Sequence, residues 1–129
     1  MKELPTPTAR ELEILKILWD RGEASVREVH RELARDRPDL AYNTVQTLLR
    51  IMDTDKRLVE HRVEGRTFIY TPCFNRDESA ARFLDRVFDG AVAELVLSLL
   101  REERISAKEL DQLQALIADA RRQRLRAGR

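Results

Sequence analysis

The sequence predicts a mainly α-helical chain with one small β-hairpin: a three-helix unit, the hairpin, then a second helical unit. Three observations predict it. Apolar residues recur at i, i+3, i+4 and i+7 over most of the 129 residues, which is the spacing of one helix face. Three of these stretches open with Ser or Thr followed three residues on by Glu, a pattern in which each side chain caps the other residue's backbone N–H. Between residues 58 and 71 the period changes, and β-branched and aromatic residues flank a Glu64-Gly65 pair. With 4 Gly, 4 Pro and 5% aromatics, turn residues are too few for a sandwich of short strands.

Pro5 and Pro7 keep the opening extended, and Thr8 with Glu11 caps the first helix. Leu12, Leu15 and Trp19 form its stripe, Ile14, Ile17 and Leu18 widen it, and Gly22 stops it. Ser25 with Glu28 caps the second helix, whose narrow stripe is Val26, Val29 and Leu33, and Pro38 is expected to end it. A third helix starts near Ala41 and buries Val45, Leu48, Leu49 and Met52. The short link Arg37-Pro38-Asp39-Leu40 makes helices two and three a helix-turn-helix candidate. Strands follow at Leu58–Val63 and Arg66–Thr71 around a Glu64-Gly65 turn, with Pro72 ending the second. Three helices and a hairpin in this order describe a winged helix.

After Pro72 the chain returns to helical spacing. Phe83, Leu84, Val87 and Phe88 form one stripe, Asp89-Gly90 interrupts, and Ala91, Val92, Leu95, Val96, Leu99 and Leu100 continue. Ser106 with Glu109 opens a last helix carrying Leu110, Leu113, Leu116, Ile117 and Ala120, and the basic tail from Arg121 to Arg129 is expected to fray. These readings divide the chain into residues 1–72 and 73–129. So short a second unit rarely buries its own core, so its stripes are expected to pack against a second copy. The expected interface is Phe83, Leu84, Val87, Phe88, Val92, Leu95, Val96, Leu99, Leu100, Leu113, Leu116 and Ile117.

Charge excludes binding of polyanions by bulk attraction, because 24 Lys+Arg face 23 Asp+Glu. A local basic face remains possible. The single cysteine, Cys73, forbids an internal disulfide and suits a reducing compartment. Met1 to Thr8 holds no apolar leader, and the mostly apolar stretch from Ala91 to Leu100 is too short to span a bilayer. A cytoplasmic protein with no membrane binding is expected. No phosphate loop or nucleophile elbow occurs, and His30 and His61 lack neighbours at zinc spacing, so no enzyme, metal or cofactor is expected. Cys73 reads as a small hydrophobe at the junction, and His30 as a structural residue. His61 suits an exposed strand position or a phosphate contact.

The outer face of the third helix is the informative feature. Residues 42–47 are uncharged and mediocre helix formers, whereas a merely solvated face favours Glu and Lys. Asn43 and Gln46 can pair with adenine bidentately, and Thr44 and Thr47 offer hydroxyls and methyls to base edges. Arg50, Lys56, Arg57, Arg62 and Arg66 are placed to reach the DNA backbone. A winged-helix scaffold serving as a protein-binding adaptor, without DNA, is the alternative on these residues alone.

Three stretches, Pro7 to Trp19, Tyr42 to Arg50 and Gly65 to Pro72, resemble in order and spacing the BlaI/MecI/CopY family of bacterial repressors. The similarity runs to about Ala120. The resemblance implies a homodimer that binds an inverted-repeat operator in double-stranded DNA, represses transcription, reads bases with Asn43, Thr44, Gln46 and Thr47, and dimerises through its C-terminal helices. It implies the penicillinase-repressor type, functionally linked to a membrane sensor-protease. Well-studied members are cut at an Asn-Phe bond, and the aligned bond here is Ser98-Leu99. Two departures stand out. No cysteine follows Cys73, which argues against the copper-sensing branch. The family usually has Gly after the lysine that ends helix three, and Arg57 in that place suggests a longer loop over Asp55-Lys56-Arg57.

Overall fold

A computed structural model describes residues 6–128. The expected extension at Pro5 and the terminal Arg129 lie outside them. The elements run α1 (Ala9–Arg21), β1 (Ala24–Ser25), α2 (Val26–Ala34), α3 (Tyr42–Thr54), β2 (Val59–Glu64), β3 (Thr67–Pro72), α4 (Arg76–Phe88), α5 (Val92–Arg101) and α6 (Ala107–Arg126). They divide into a unit ending at Ala80 and a unit starting at Ala81.

All three capping boxes form. The side-chain oxygens of Thr8, Ser25 and Ser106 accept from the amides of Glu11, Glu28 and Glu109, whose carboxylates accept from the capping residues' own amides. Asn75 and Glu78 make the same exchange at the start of α4, at 3.0 and 2.8 Å. Ile14, Leu15 and Leu18 of α1 meet Val29 and Leu33 of α2 and Val45, Leu49 and Met52 of α3 in one core. Leu58, Val59, Tyr70 and Phe74 close it from the hairpin side. Trp19 contributes from the rim: its indole N–H donates to the Phe74 carbonyl at 2.8 Å, and the two rings meet edge to face at 6.1 Å. Leu48, expected in the buried face, is only partly covered.

Four sequence expectations need correction. Helix α2 ends at Ala34, not at Pro38, and the amides of Asp36 and Arg37 fold back onto the Leu33 carbonyl. The hairpin is shifted by one residue. Its turn is Gly65-Arg66, closed by Glu64 opposite Thr67, with Gly65 at φ 65. Leu58 precedes the strand: its amide donates to the Met52 carbonyl at 2.7 Å, its carbonyl accepts from the Cys73 amide at 3.0 Å, and its side chain is fully buried. The sheet has three strands, since Ala24 and Ser25 pair with Tyr70 and Ile69. Two residues are too few to show a strand period, so this one was hidden behind the α2 cap. The basic tail is helical to Arg126 rather than frayed.

The end of α3 answers the missing glycine. Arg57 itself takes the left-handed conformation, φ 54, and the Lys56 amide reaches the Ile51 carbonyl at 3.1 Å. Lys56 then donates its Nζ to Glu11 Oε1 at 2.8 Å, a partner buried to 2% exposure. Burial alone would raise the Glu11 pKa. The Lys56 hydrogen bond and the Thr8 amide outweigh it and hold the carboxyl below its ordinary value.

The second unit is different in kind. None of the residues of α4, α5 or α6 is buried. Phe83 and Phe88 pack ring to ring at 6.1 Å, and Glu103 at φ 54 ends α5. Val92, Leu116 and Ile117 are 60%, 63% and 58% exposed.

Candidate nucleic-acid interface

Residues of α3, the start of α2 and the hairpin line a groove of about 730 Å³. From α3 come Tyr42, Gln46, Arg50 and Asp53, from the α2 entry Ser25, Val26 and Arg27, and from the hairpin His61, Arg66, Thr67, Phe68 and Tyr70. Burial of Val45, Leu49 and Met52 locks α3 into the core, which turns Asn43, Thr44, Gln46 and Thr47 outward, and all four are exposed. Of these, only Gln46 belongs to the groove lining. An outward polar helix with a fixed inner face is the geometry needed to present side chains to base edges.

The arginines sort by their partners. Arg37 pairs with Glu13, Arg76 with Asp20, and Arg21 with Glu28 and Glu32. Arg62, expected at the DNA backbone, is held at 2.6 Å by both Glu23 and Glu64. Lys56, expected there too, is turned to Glu11. Arg27, Arg50 and Arg66 line the groove, and no carboxylate is seen within ion-pair distance of them among the described residues. Arg57 is exposed on the left-handed turn. Three cations without an ion-pair partner in one groove suit an anion with repeated charges.

Sequence reading missed Arg27 and Ser25. One signal was present: Arg27 stands in the first turn of α2, where the helix dipole favours acids. A cation there is disfavoured unless an anion joins it. Reading also missed the inward face of the hairpin. His61 stacks on Phe68 with ring centroids 4.3 Å apart and planes 14° apart, and its Nδ1 contacts the Asp53 carboxylate on α3. Tyr70 lies beneath them, 3% exposed, its hydroxyl pKa pushed up by burial and then by Asp53. Val63 and Phe68 pair across the strands and stay 59% and 45% exposed. His30 has the structural place expected of it, its Nε2 meeting the Leu40 carbonyl at 2.7 Å. Cys73 is exposed at the surface, not packed as a small hydrophobe.

The sequence matches the family model of the penicillinase repressor over residues 7–119. The chain belongs to the penicillinase repressor family. It is 32% identical to the penicillinase repressor of Bacillus licheniformis over 126 residues, which covers 92% of this chain and 94% of that one. It is 34% identical over 117 residues to the transcriptional regulator BlaI of Mycobacterium tuberculosis strain H37Rv, covering 84% and 80%. A solution structure of the DNA-binding domain of the repressor BlaI matches with a TM-score of 0.50 and 33% identity, covering 60% of this chain and 93% of that one. The three-helix unit with its hairpin is thus a winged helix, and membership of a family of DNA-binding transcriptional repressors leaves no place for an enzymatic reading. Among the described residues no helix is long and apolar enough to cross a membrane, and no group of three His, Cys, Asp or Glu could hold a metal ion.

Proposed function

We propose that this penicillinase-repressor relative binds an inverted-repeat operator as a homodimer and represses transcription of a gene of the penicillinase type. The observation that carries the reading is the groove. Arg27, Arg50 and Arg66 stand unpaired beside an uncharged outer face of α3. Phosphates positioned on the arginines would bring the base edges to Asn43, Thr44, Gln46 and Thr47. Arg57 is exposed on the turn that follows α3, while Arg62 and Lys56 must first leave their carboxylates to reach a phosphate.

One unit offers few cations, so two must act together. The uncovered apolar residues of α4, α5 and α6 supply the dimer surface in this reading, with the unit that ends at Ala80 as reader and the unit that starts at Ala81 as dimeriser. The two recognition helices then lie about 34 Å apart, one turn of DNA, or a multiple of it. Repression places the protein in the cytoplasm with the chromosome. Release follows when a membrane sensor-protease causes cleavage of Ser98-Leu99.

The test is enrichment of genomic fragments on purified full-length protein, followed by footprinting. An inverted repeat with half-sites one or two turns apart supports the reading. Enrichment no better than for scrambled duplex overturns it.

A further inference from the structure

The groove has one acidic lining residue, Asp53, and it stands among the three arginines where a phosphate would enter. Left charged and alone, it would repel that phosphate and offset part of what Arg50 contributes from the preceding turn. Its side chain is 17% exposed, and its contact is His61 Nδ1, on a side chain 33% exposed. The ring is fixed from the hairpin as well, stacked flat on Phe68 and 5.8 Å from the Tyr70 ring.

With Nδ1–H donating to Asp53, a neutral imidazole leaves the pair at a net charge of −1. A proton taken from solvent onto Nε2 brings the pair to zero and leaves the contact in place. His61 contacts Asp53 from α3 and Phe68 and Tyr70 from β3, and Arg50 from α3, Arg66 from the turn and Arg27 from α2 line the same groove. Three of these six are cations. An incoming DNA backbone would bring negative charge into the same groove, which favours the charged form of an imidazole there.

We propose that His61 is a positioning residue that ties the hairpin to α3 through Asp53 and takes up a proton when the groove receives a DNA backbone, so that binding tightens as pH falls. The proposal rests on the DNA reading above and adds to it a proton bound at a named pair. It makes the pair part of the phosphate site rather than a surface ion pair of the fold.

The experiment is anisotropy titration of the full chain with a labelled mixed-sequence duplex, at fixed ionic strength, between about pH 5 and 8, where an imidazole changes charge. One proton per site corresponds to an affinity rise of up to about tenfold per pH unit at the steepest point. His61→Gln keeps a donor for Asp53 but cannot charge, so it should bind with a flat profile. Asp53→Asn removes the groove's one lining carboxylate and should bind more tightly than the parent near pH 8. His30→Gln, the one other histidine, should keep the slope. Thermal melts confirm that each variant folds. A parent profile without slope, or a slope that survives in His61→Gln, overturns the proposal while leaving DNA binding intact. No duplex binding at any pH overturns the DNA reading itself.

Discussion

Gln46 and Arg50 stand one turn apart on α3, both exposed and both lining the groove, yet they should fail in different ways. Gln46→Ala removes a bidentate partner for one base and should cost about 1–3 kcal/mol on the operator, with little change on scrambled duplex. Arg50→Ala should weaken both duplexes alike and lower the slope of log affinity against log salt by about one. Paired titrations on the two duplexes separate the roles, and equal losses for Gln46→Ala would remove it from base reading. Arg57 carries a different load. At φ 54 it holds a backbone conformation that costs a side chain about 1–2 kcal/mol and glycine almost nothing. Part of the relief from Arg57→Gly is returned through the looser unfolded chain, leaving a net gain of about 0.5–1 kcal/mol. A denaturant melt reads that gain. The salt slope of the same variant reads whether the guanidinium also met a phosphate.

Lys56 at the end of α3 is tied to a carboxylate buried on α1. Lys56→Ala leaves Glu11 in the core without its cation and should cost about 1–3 kcal/mol. The pair also sets an acid limit. Glu11 is held below its ordinary 4.5 in the fold, so its contribution is present above about that pH and fades as pH falls through the lowered folded value. Glu11→Gln should lose that part of the acid dependence, which melts across pH 2 to 6, on the order of the range where carboxylates titrate, would show. These elements were also those most legible in the sequence. Thr8, Ser25 and Ser106 announced three helix starts because capping is local, and the stripes of α2 and α3 named most of their core residues because helix periodicity is local too, whereas in α1 the core is Ile14, Leu15 and Leu18, with Leu12 and Trp19 of the expected stripe only partly covered. What stayed hidden depended on contacts distant in sequence. The strand at Ala24-Ser25 exists through Tyr70 and Ile69, and the turn falls one residue later than expected, with Glu64 opposite Thr67. At the groove, the outer face of α3 was legible from its composition. Which arginines stay unpaired was not, since Glu23 and Glu11 lie 39 and 45 residues from the cations they hold.

Across the chain as a whole, one unit has a dry core and the other has none, and that contrast predicts how repression would be lifted. Every residue of these helices is at least partly open, and in the proposed reading a second copy covers their apolar stripes. Leu95→Asp or Leu99→Asp would place a charge in that seam and should yield monomers by sedimentation, with the first unit's melt unchanged. A fragment of residues 1–80, which retains Phe74 and the whole core, should sediment as a monomer; a stable dimer would move the interface into the winged helix. Loss of the link between two half-site readers should lower operator affinity by about 10²–10⁴-fold without touching α3. Cleavage at Ser98-Leu99 would reach the same end by another route. That bond lies inside α5, where the Ser98 carbonyl accepts from Glu102 at 3.1 Å, so a protease needs the helix to open first. An uncovered ten-residue helix ending on a strained Glu103 opens at low cost, whereas one sealed in a dimer does not. Proteolysis should therefore run faster on Leu95→Asp than on the parent, measured as the rate at which a fragment ending at Ser98 appears in cells exposed to the inducer. Derepression with the full-length protein intact would exclude cleavage and transfer the switch to a bound effector.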